Sequence, residues 1–423
     1  GNGRRGANDA DGAPRAVPPH GRSPVRAAVQ GESVDAESSR RENEDPGSLS
    51  GGRQRPSGPG GSDGDAQWSI GRRADERGPS FARAVPPGGY HWHYLDGISD
   101  DGRAAIVVIA MVGHPFSPDY LRAGRVPAER YCSMNGAVYG PPPLARLRSG
   151  FALEERAISS QDRARDGIQI GRSSLRWVGD RLQADLDERT TPLGHPVRRA
   201  ITGRVTFVPE ALTGRELVID CDEQHRWWPV SPVGRIEVDL PSLGLRFRGH
   251  GYHDANAGET SLADGFEHWS WSRARMSQGA ALTYDAIDRS GIKTSHAFRV
   301  RAGSGNIEPI ESTGLMARAR SSWGLPRNVR VDAGASVRTV RTLEDGPFYN
   351  RALIDTRVDG ESVTAMYEAL SGRRLRAGWV RFCTGYRMAK AKTSCESGWG
   401  TGRGRWTGSA SVSGRLGTRG SGS

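Results

Sequence analysis

Paired cysteines are missing from this chain of 423 residues. Its 4 cysteines show neither a CxxC pair nor a zinc-ligand spacing. We therefore expect the cysteines to be small, buried hydrophobic side chains of a reduced, cytosolic protein. An "HWH" segment, with His91 and His93, offers two zinc ligands from a strand, but no third ligand is evident and we expect no metal. The cysteines are Cys132, Cys221, Cys383 and Cys395.

Long hydrophobic runs are also absent. The longest, "AAIVVIAMVG", covers residues 104–113, which is too short to cross a bilayer as a helix. The first residues, "GNGRRGANDADG", contain no apolar core of a signal peptide. The sequence therefore predicts no transmembrane segment and a protein that is soluble or peripheral to a membrane.

Cofactor signatures are lacking as well. No GxGxxG follows a predicted strand and no GxxxxGK[ST] occurs, so we expect no cofactor. The absence of a GxSxG elbow argues against an α/β-hydrolase. The net charge of +11 suits nucleic acid, an anionic membrane or simply a solvated arginine-rich surface. We find no zinc finger, RNP-like segment or basic heptad helix, and we predict no nucleic-acid partner.

Aliphatic side chains are scarce at both ends of the chain. Residues 1–80 and 390–423 are rich in Gly, Ser, Arg and Pro, and apolar residues make up only 35% of the whole sequence. Segments of this kind bury too little surface to offset the entropy lost on ordering. We therefore predict two disordered tails around an ordered region, 81–389.

Short alternating segments fill this ordered region. The segment "YHWHYL" begins a strand whose two faces differ, with Tyr90, Trp92 and Tyr94 on one face and imidazoles on the other. Many short strands with turn signals follow, a pattern typical of antiparallel barrels or sandwiches. Because the region is longer than one such unit, we predict an all-β protein with two antiparallel β-barrel domains, 81–235 and 236–389.

Polar and aromatic side chains flank one predicted hairpin. "HRWWPV" at 225–230 and "GYHDANAGE" at 251–259 are separated by the alternating "RIEVDLPSLGLRFRG". Residues two apart in a strand share a face, so His225 and Trp227 point the same way. Tyr252 and Asp254 do likewise. Closing the hairpin brings an imidazole, an indole, a phenol and a carboxylate toward one spot.

This set suits acid-catalysed addition of water to an unactivated alkene. A carboxyl group among aromatic neighbours has a raised pKa and can act as a general acid. Indole and phenol faces stabilise a cation, and a neutral imidazole can hold or deprotonate water. An ordinary structural interpretation also stands, with Trp227 in a barrel core and Asp254 holding a turn. His225 would then cap a loop and Tyr252 would be a structural phenol.

Four segments resemble the carotenoid 1,2-hydratases, also called hydroxyneurosporene synthases, of photosynthetic bacteria. They are "PPGGYHWHYLDGISDDGR", "HRWWPV", "GYHDANAGE" and "FEHWSWSRAR". The resemblance covers roughly 81–389 and neither tail. It implies lipocalin-like paired β-barrels and an active site of His225, Trp227, Tyr252 and Asp254. In the last segment, Trp269 and Trp271 share a face and are expected to line a core or a ligand channel.

The resemblance also implies a reaction: water adds across the terminal C1=C2 bond of acyclic carotenoids such as neurosporene or lycopene, without a redox cofactor. We expect neutral Asp254 to protonate C2, while Trp227 and Tyr252 stabilise the cation at C1 through their π faces. His225 or Tyr252 would position the attacking water.

A polyene substrate is dissolved in lipid. We therefore expect peripheral contact with the cytoplasmic side of the inner membrane, which the positive net charge favours. Two other functions remain open on the same residues: a carotenoid or lipid carrier without catalysis, and a glycan-binding β protein that uses its aromatic strips.

Overall fold

The computed structural model of the protein describes residues 77–191 and 197–390. Strands dominate both ranges, and the prediction of an all-β protein built mainly from antiparallel sheets is confirmed. The predicted tails, 1–80 and 390–423, lie outside the described residues except at their inner ends. Their predicted disorder is therefore not tested.

The strands of the first half precede residue 259. They are β1 (Tyr90–Ser99), β2 (Ala105–Val112), β3 (Cys132–Tyr139), β4 (Gly150–Ala152), β5 (Glu154–Arg156), β6 (Arg163–Ala164), β7 (Gly167–Ile170), β8 (Ser173–Val178), β9 (Arg181–Arg189), β10 (Ala200–Pro209), β11 (Leu217–Val218), β12 (His225–Leu240) and β13 (Leu245–Gly258).

The strands of the second half follow a short helix. They are β14 (Phe266–Met276), β15 (Gly279–Asp288), β16 (Lys293–Arg301), β17 (Ile307–Pro309), β18 (Thr313–Arg318), β19 (Arg327–Asp332), β20 (Arg338–Asp345), β21 (Tyr349–Val358), β22 (Glu361–Leu370) and β23 (Ala389–Lys390). The helices are α1 (Pro118–Ala123), α2 (Ala145–Arg148), α3 (Leu262–Gly265), α4 (Gly372–Arg376) and α5 (Gly378–Arg387). None of the helices in the described ranges is long and apolar enough to cross a membrane.

Two large sheets and a small one result. The first has 14 strands in the order β23-β5-β3-β2-β1-β13-β12-β10-β9-β8-β7-β6, with β4 beside β3 and β11 beside β12. The second has 7 strands in the order β17-β16-β15-β14-β22-β21-β20, and β18 pairs with β19. Residue 235, the predicted domain boundary, lies inside β12, and the second sheet begins at Phe266. The division into two domains stays a prediction.

Strand β1 lies between β2 and β13 and is buried along its whole length. Its tyrosine and tryptophan face belongs to a core shared with the second sheet. The opposite face belongs to a separate core inside the first sheet, where His93 stacks on Phe81 with ring centroids 3.7 Å apart. The prediction of two chemically different faces is confirmed, and this strand separates two interiors.

The predicted hairpin is formed by β12 and β13. One turn of 3₁₀ helix and Gly244, which has a left-handed φ of 57°, connect the two strands. Their pairing shifts register between Trp228 and Ser231 and again between Ser231 and Gly234. These irregularities separate the outer end of the hairpin, which carries the candidate residues, from its regular inner end.

Cysteine burial differs from the expectation in two places. Cys132 is buried, as predicted, but Cys221 is exposed because it lies in the turn that precedes β12, and Cys383 of α5 is only half-buried. Cys395 lies outside the described residues.

A buried ion pair connects the two large sheets. Arg273 of β14 and Asp96 of β1 are 2% and 0% exposed as side chains, and the guanidinium donates two hydrogen bonds to the carboxylate. The Tyr94 hydroxyl also lies within hydrogen-bond distance of this carboxylate, 3.0 Å from Asp96 Oδ2. A buried charge needs such partners, because desolvation penalises it strongly.

Replacing Arg273 by Met should therefore leave a buried carboxylate without its counter-ion. We expect the free energy of unfolding to fall by about 3–5 kcal/mol, measured by urea denaturation at neutral pH. The double variant with Asp96→Leu should recover most of that loss. A single variant as stable as the wild type would show that the pair is not needed to join the sheets.

Candidate active site

Three of the four predicted site residues meet at one carboxyl group. Asp254 Oδ2 accepts a hydrogen bond of 2.7 Å from the Tyr252 hydroxyl and one of 2.9 Å from Trp227 Nε1. The other oxygen, Oδ1, is buried and has no hydrogen-bond partner among the described residues. Asp254 is 5% exposed, and the two donors are fully buried.

Strand geometry explains this convergence. Tyr252 and Asp254 are two residues apart on β13 and share a face. Trp227 of β12 is opposite Asn256, the next residue of that face, so its indole reaches the carboxyl diagonally. Three of the residues whose spacing predicted a common site therefore meet at the outer end of the hairpin.

The Asp254 carboxyl keeps its proton at neutral pH. Burial raises its pKa to about 8, against the opposing effect of the hydrogen bonds from Tyr252 and Trp227, and the charges of Glu368 and Asp96 raise it further. Because Oδ2 already accepts two hydrogen bonds, the acidic proton belongs on the unpaired Oδ1. Burial also raises the pKa of Tyr252, which therefore remains a phenol donor.

His225 does not join this group. Its Nδ1 lies 3.0 Å from the Tyr90 hydroxyl, and its Nε2 lies 3.4 Å from Thr260 Oγ1. The ring is enclosed so closely that a Cβ on Gly265 would come within 2.1 Å of Nε2. Burial lowers the pKa of His225 to about 4, so the imidazole is neutral.

A pocket of about 910 Å³, including its open mouth, lies between the two large sheets. Asp254 lines it, whereas Trp227, Tyr252 and His225 lie behind its wall. Its aromatic lining consists of Trp92, Tyr94, Phe116, Phe151, Trp269, Trp271, Tyr284, Phe348 and Tyr349. The expectation that Trp269 and Trp271 line a channel agrees with this wall. Such a surface suits an elongated apolar ligand.

A polar cluster faces the same pocket and was missed by sequence reasoning. Glu368 Oε1 accepts hydrogen bonds of 2.9 Å from the Tyr94 hydroxyl and 2.7 Å from Arg351 Nε. Arg351 also lies 3.4 Å from Glu344. One sequence pattern could have predicted this cluster: a charged residue interrupts each of two apolar strand segments, "YNRALI" and "MYEAL". No cluster of three or more His, Cys, Asp or Glu in the described ranges is arranged to hold a metal ion.

Comparison with known proteins gives a consistent result. The profile of the family described as "Carotenoid hydratase CrtC" matches residues 108–396. The acyclic carotenoid 1,2-hydratase of Thiocapsa roseopersicina is 37% identical over 386 residues, which are 89% of this chain and 91% of that protein. The acyclic carotenoid 1,2-hydratase of Rubrivivax gelatinosus is 35% identical over 318 residues, 74% of this chain and 76% of that protein.

Solved structures show more distant likenesses. A putative AttH from Nitrosomonas europaea has a TM-score of 0.47 at 12% identity and covers 67% of this chain and 92% of its own. The kievitone hydratase of Nectria haematococca has a TM-score of 0.43 at 12% identity, covering 70% of this chain and 94% of its own.

Proposed function

This chain belongs to the carotenoid hydratase family, and from that membership we infer that it is a hydro-lyase, an acyclic carotenoid 1,2-hydratase. We propose that Asp254 gives its proton to C2 of the terminal C1=C2 bond, leaving a tertiary cation at C1 that water captures. One observation carries this mechanism: a buried carboxyl with a pKa of about 8 and a free oxygen at the wall of an aromatic pocket.

The neighbours of the carboxyl have different roles in this proposal. Trp227 and Tyr252 hold the carboxyl in place, because both donate to Oδ2 and leave Oδ1 for the substrate. The sequence predicted that Trp227 stabilises the cation, but its ring lies behind the pocket wall. We assign that role to the lining rings Trp271 and Tyr284, each of which can contribute about 2 kcal/mol when desolvated.

His225 has a positioning role in this proposal. It precedes Trp227 by two residues on β12 and is held by the Tyr90 hydroxyl at 3.0 Å. Its enclosed, neutral ring fixes the outer end of the hairpin, and with it the direction from which the indole approaches the Asp254 carboxyl. Activity lost in a His225 variant should therefore accompany a change in the pKa of Asp254.

The reaction can be tested with oxygen-labelled water. We expect the protein, incubated with detergent-dispersed lycopene in H₂¹⁸O, to give a monohydroxylated or dihydroxylated product with ¹⁸O at C1, identified by mass spectrometry. Neurosporene in a parallel incubation would report which acyclic carotenoid is preferred. Binding of lycopene by folded protein without labelled product would instead support a carrier.

The protonation state of Asp254 predicts a pH dependence. The acid form is the active one, so kcat should be nearly constant between pH 6 and about 7 and fall about tenfold per pH unit above about 8. Trp227→Phe removes a hydrogen bond that lowers this pKa, so the falling limb should move to higher pH. A limb that stays in place in Trp227→Phe, measured by initial rates between pH 6 and 10, would contradict the assignment.

We propose that a bilayer delivers the polyene to one side of the pocket. Helix α5 contributes Thr384 to the pocket lining, and its outer side carries Trp379 and Phe382, 51% and 66% exposed. Trp323, 46% exposed, stacks on Trp379. These three rings form an interfacial surface, and Arg374 beside it donates a hydrogen bond to the backbone carbonyl of Trp323. Aromatic rings and arginine suit an anionic headgroup region, here the cytoplasmic side of the inner membrane.

Vesicle sedimentation tests this surface. The Trp379→Ser/Phe382→Ser variant should bind vesicles of phosphatidylglycerol and phosphatidylcholine about tenfold more weakly than the wild type. It should still convert lycopene in detergent. Val178→Ser, which removes an exposed apolar side chain from β8, is the matched control. Unchanged vesicle binding by the double variant would show that this surface does not contact the bilayer.

A further inference from the structure

We propose that Tyr94 and Glu368 contact the attacking water and accept the proton that it releases. This inference rests on the proposed hydration and assigns residues to its second half. Both side chains line the pocket. Tyr94 is directly opposite Asp254 in the pairing of β1 with β13, so the phenol and the acid face the same space from adjacent strands.

The other candidates for the water lack access to the pocket. The Tyr252 hydroxyl directs its proton at Asp254 and lies behind the wall, as does the enclosed His225. Tyr94, by contrast, lines the pocket, and its hydroxyl lies 2.9 Å from Glu368 Oε1. A water beside C1 can therefore reach a proton acceptor through Tyr94 or directly at Glu368.

The Tyr94 hydroxyl has two carboxyl neighbours and one proton. It lies 2.9 Å from Glu368 Oε1 and 3.0 Å from Asp96 Oδ2, and it can donate to only one of them at a time. The other carboxyl interacts favourably with the phenol oxygen only when it carries a proton itself. The group is thus arranged to take up one additional proton.

The ion pairs of the cluster support the same role. Glu368 is paired with Arg351, and Asp96 is paired with Arg273. A carboxylate in a site shielded from water stabilises a cation that develops nearby. Because Glu368 also lines the pocket, it can both stabilise the cation and accept the proton of the attacking water.

The complete step balances. The alkene π electrons take the Asp254 proton to form the C2–H bond, and C1 becomes cationic. A lone pair of water forms the C1–O bond, and one O–H bond of that water breaks. Its proton passes to Glu368, directly or by exchange through the Tyr94 hydroxyl. The products are a tertiary alcohol, ionised Asp254 and neutral Glu368. Solvent at the open mouth then takes the proton from Glu368 and returns one to Asp254.

Deuterium exchange separates the two halves of this reaction. In D₂O, protonation at C2 followed by loss of a proton returns unhydrated lycopene that carries deuterium. We expect Glu368→Gln to hydrate lycopene at least about tenfold more slowly while continuing to exchange, so that the ratio of exchange to hydration rises. Tyr94→Phe should do the same, and it keeps the Glu368–Arg351 pair should Glu368→Gln fold poorly. Glu361→Gln, an outlying position on the same strand, should match the wild type.

The possible outcomes are distinct. Exchange and hydration that fall in parallel in both variants, or hydration that stays unchanged in both, would overturn the assignment of Tyr94 and Glu368. A wild-type protein that neither hydrates nor exchanges lycopene would instead contradict the proposed function itself.

Discussion

Replacing Asp254 by Asn is expected to lower kcat for hydration about 10²- to 10⁴-fold, the range that a general acid contributes. We expect the upper end of that range, because Asp254 is the proton donor to carbon and a neutral amide is a far weaker acid. Asn has nearly the same volume, and its carbonyl oxygen can accept the hydrogen bonds that Trp227 and Tyr252 now donate to Oδ2. The fold and the pocket should therefore persist.

Separate measurements of rate and binding check this expectation. Product formation followed by chromatography gives kcat, and quenching of tryptophan fluorescence by the polyene gives the dissociation constant. The dissociation constant should change little in Asp254→Asn. Asp239→Asn, on the same hairpin but at its exposed inner end, should retain full activity. An Asp254→Asn enzyme with more than about a tenth of wild-type kcat would exclude this carboxyl as the proton donor.

Acidification is expected to destabilise the fold by several kcal/mol between about pH 6.5 and 4, because buried imidazoles must remain neutral. Burial lowers the pKa of His253 to about 4 and that of His91 to about 3, and the pKa of His93 also lies well below its usual value. The charges of Arg83 and Arg163 lower the pKa of His91 further. In the unfolded chain each imidazole binds a proton near pH 6.5.

The sign of this effect follows from the direction of the shifts. A base whose pKa is lower in the folded state contributes stability that is fully present above pH 6.5 and is lost as pH falls. For His253 the loss amounts to about 3 kcal/mol at pH 4. Asp254 opposes it, because its raised pKa makes unfolding more costly at low pH than at high pH.

Urea denaturation at a series of pH values measures this loss. His253→Gln keeps a donor for the Tyr94 carbonyl, now contacted by Nδ1 at 2.8 Å, but cannot be protonated. Its stability should decline less steeply below pH 6.5, by the slope of one proton, about 1.4 kcal/mol per pH unit. Identical slopes for wild type and variant would show that His253 titrates normally in the folded protein.

Local periodicity was sufficient to predict part of the site. Alternation along "YHWHYL" predicted which residues lie on each face of β1. The two-residue spacing of Tyr252 and Asp254 predicted that their side chains point in the same direction. The same rule explains why the His225 ring lies away from the Asp254 carboxyl. Two residues along a strand correspond to about 6.6 Å, so His225 shares a face with Trp227 but lies one step beyond reach of the carboxyl.

Other parts of the site depend on contacts between distant strands. Glu368 reaches Tyr94 only because β22 pairs with β14 and the second sheet packs on the first. No local pattern in "TAMYEAL" specifies that partner. The role of Trp227 was also beyond sequence reasoning, because an indole can present either its ring face or its N–H. In the structure it is the N–H that meets Asp254.

Because the two faces of strand β1 differ chemically, a change in its length would affect the pocket as well as the stability of the fold. Removal of one residue ahead of Trp92 would reverse every side chain before the cut relative to those after it, since neighbours along a strand point to opposite sides. If the residues after the cut shift by one position, His93 would enter the aromatic pocket, while Trp92 and Tyr94 would enter a compartment already filled. Substitutions in this strand alter one compartment at a time, whereas a deletion alters both. Engineering of the channel should therefore proceed by replacement here and reserve insertions for the surrounding loops.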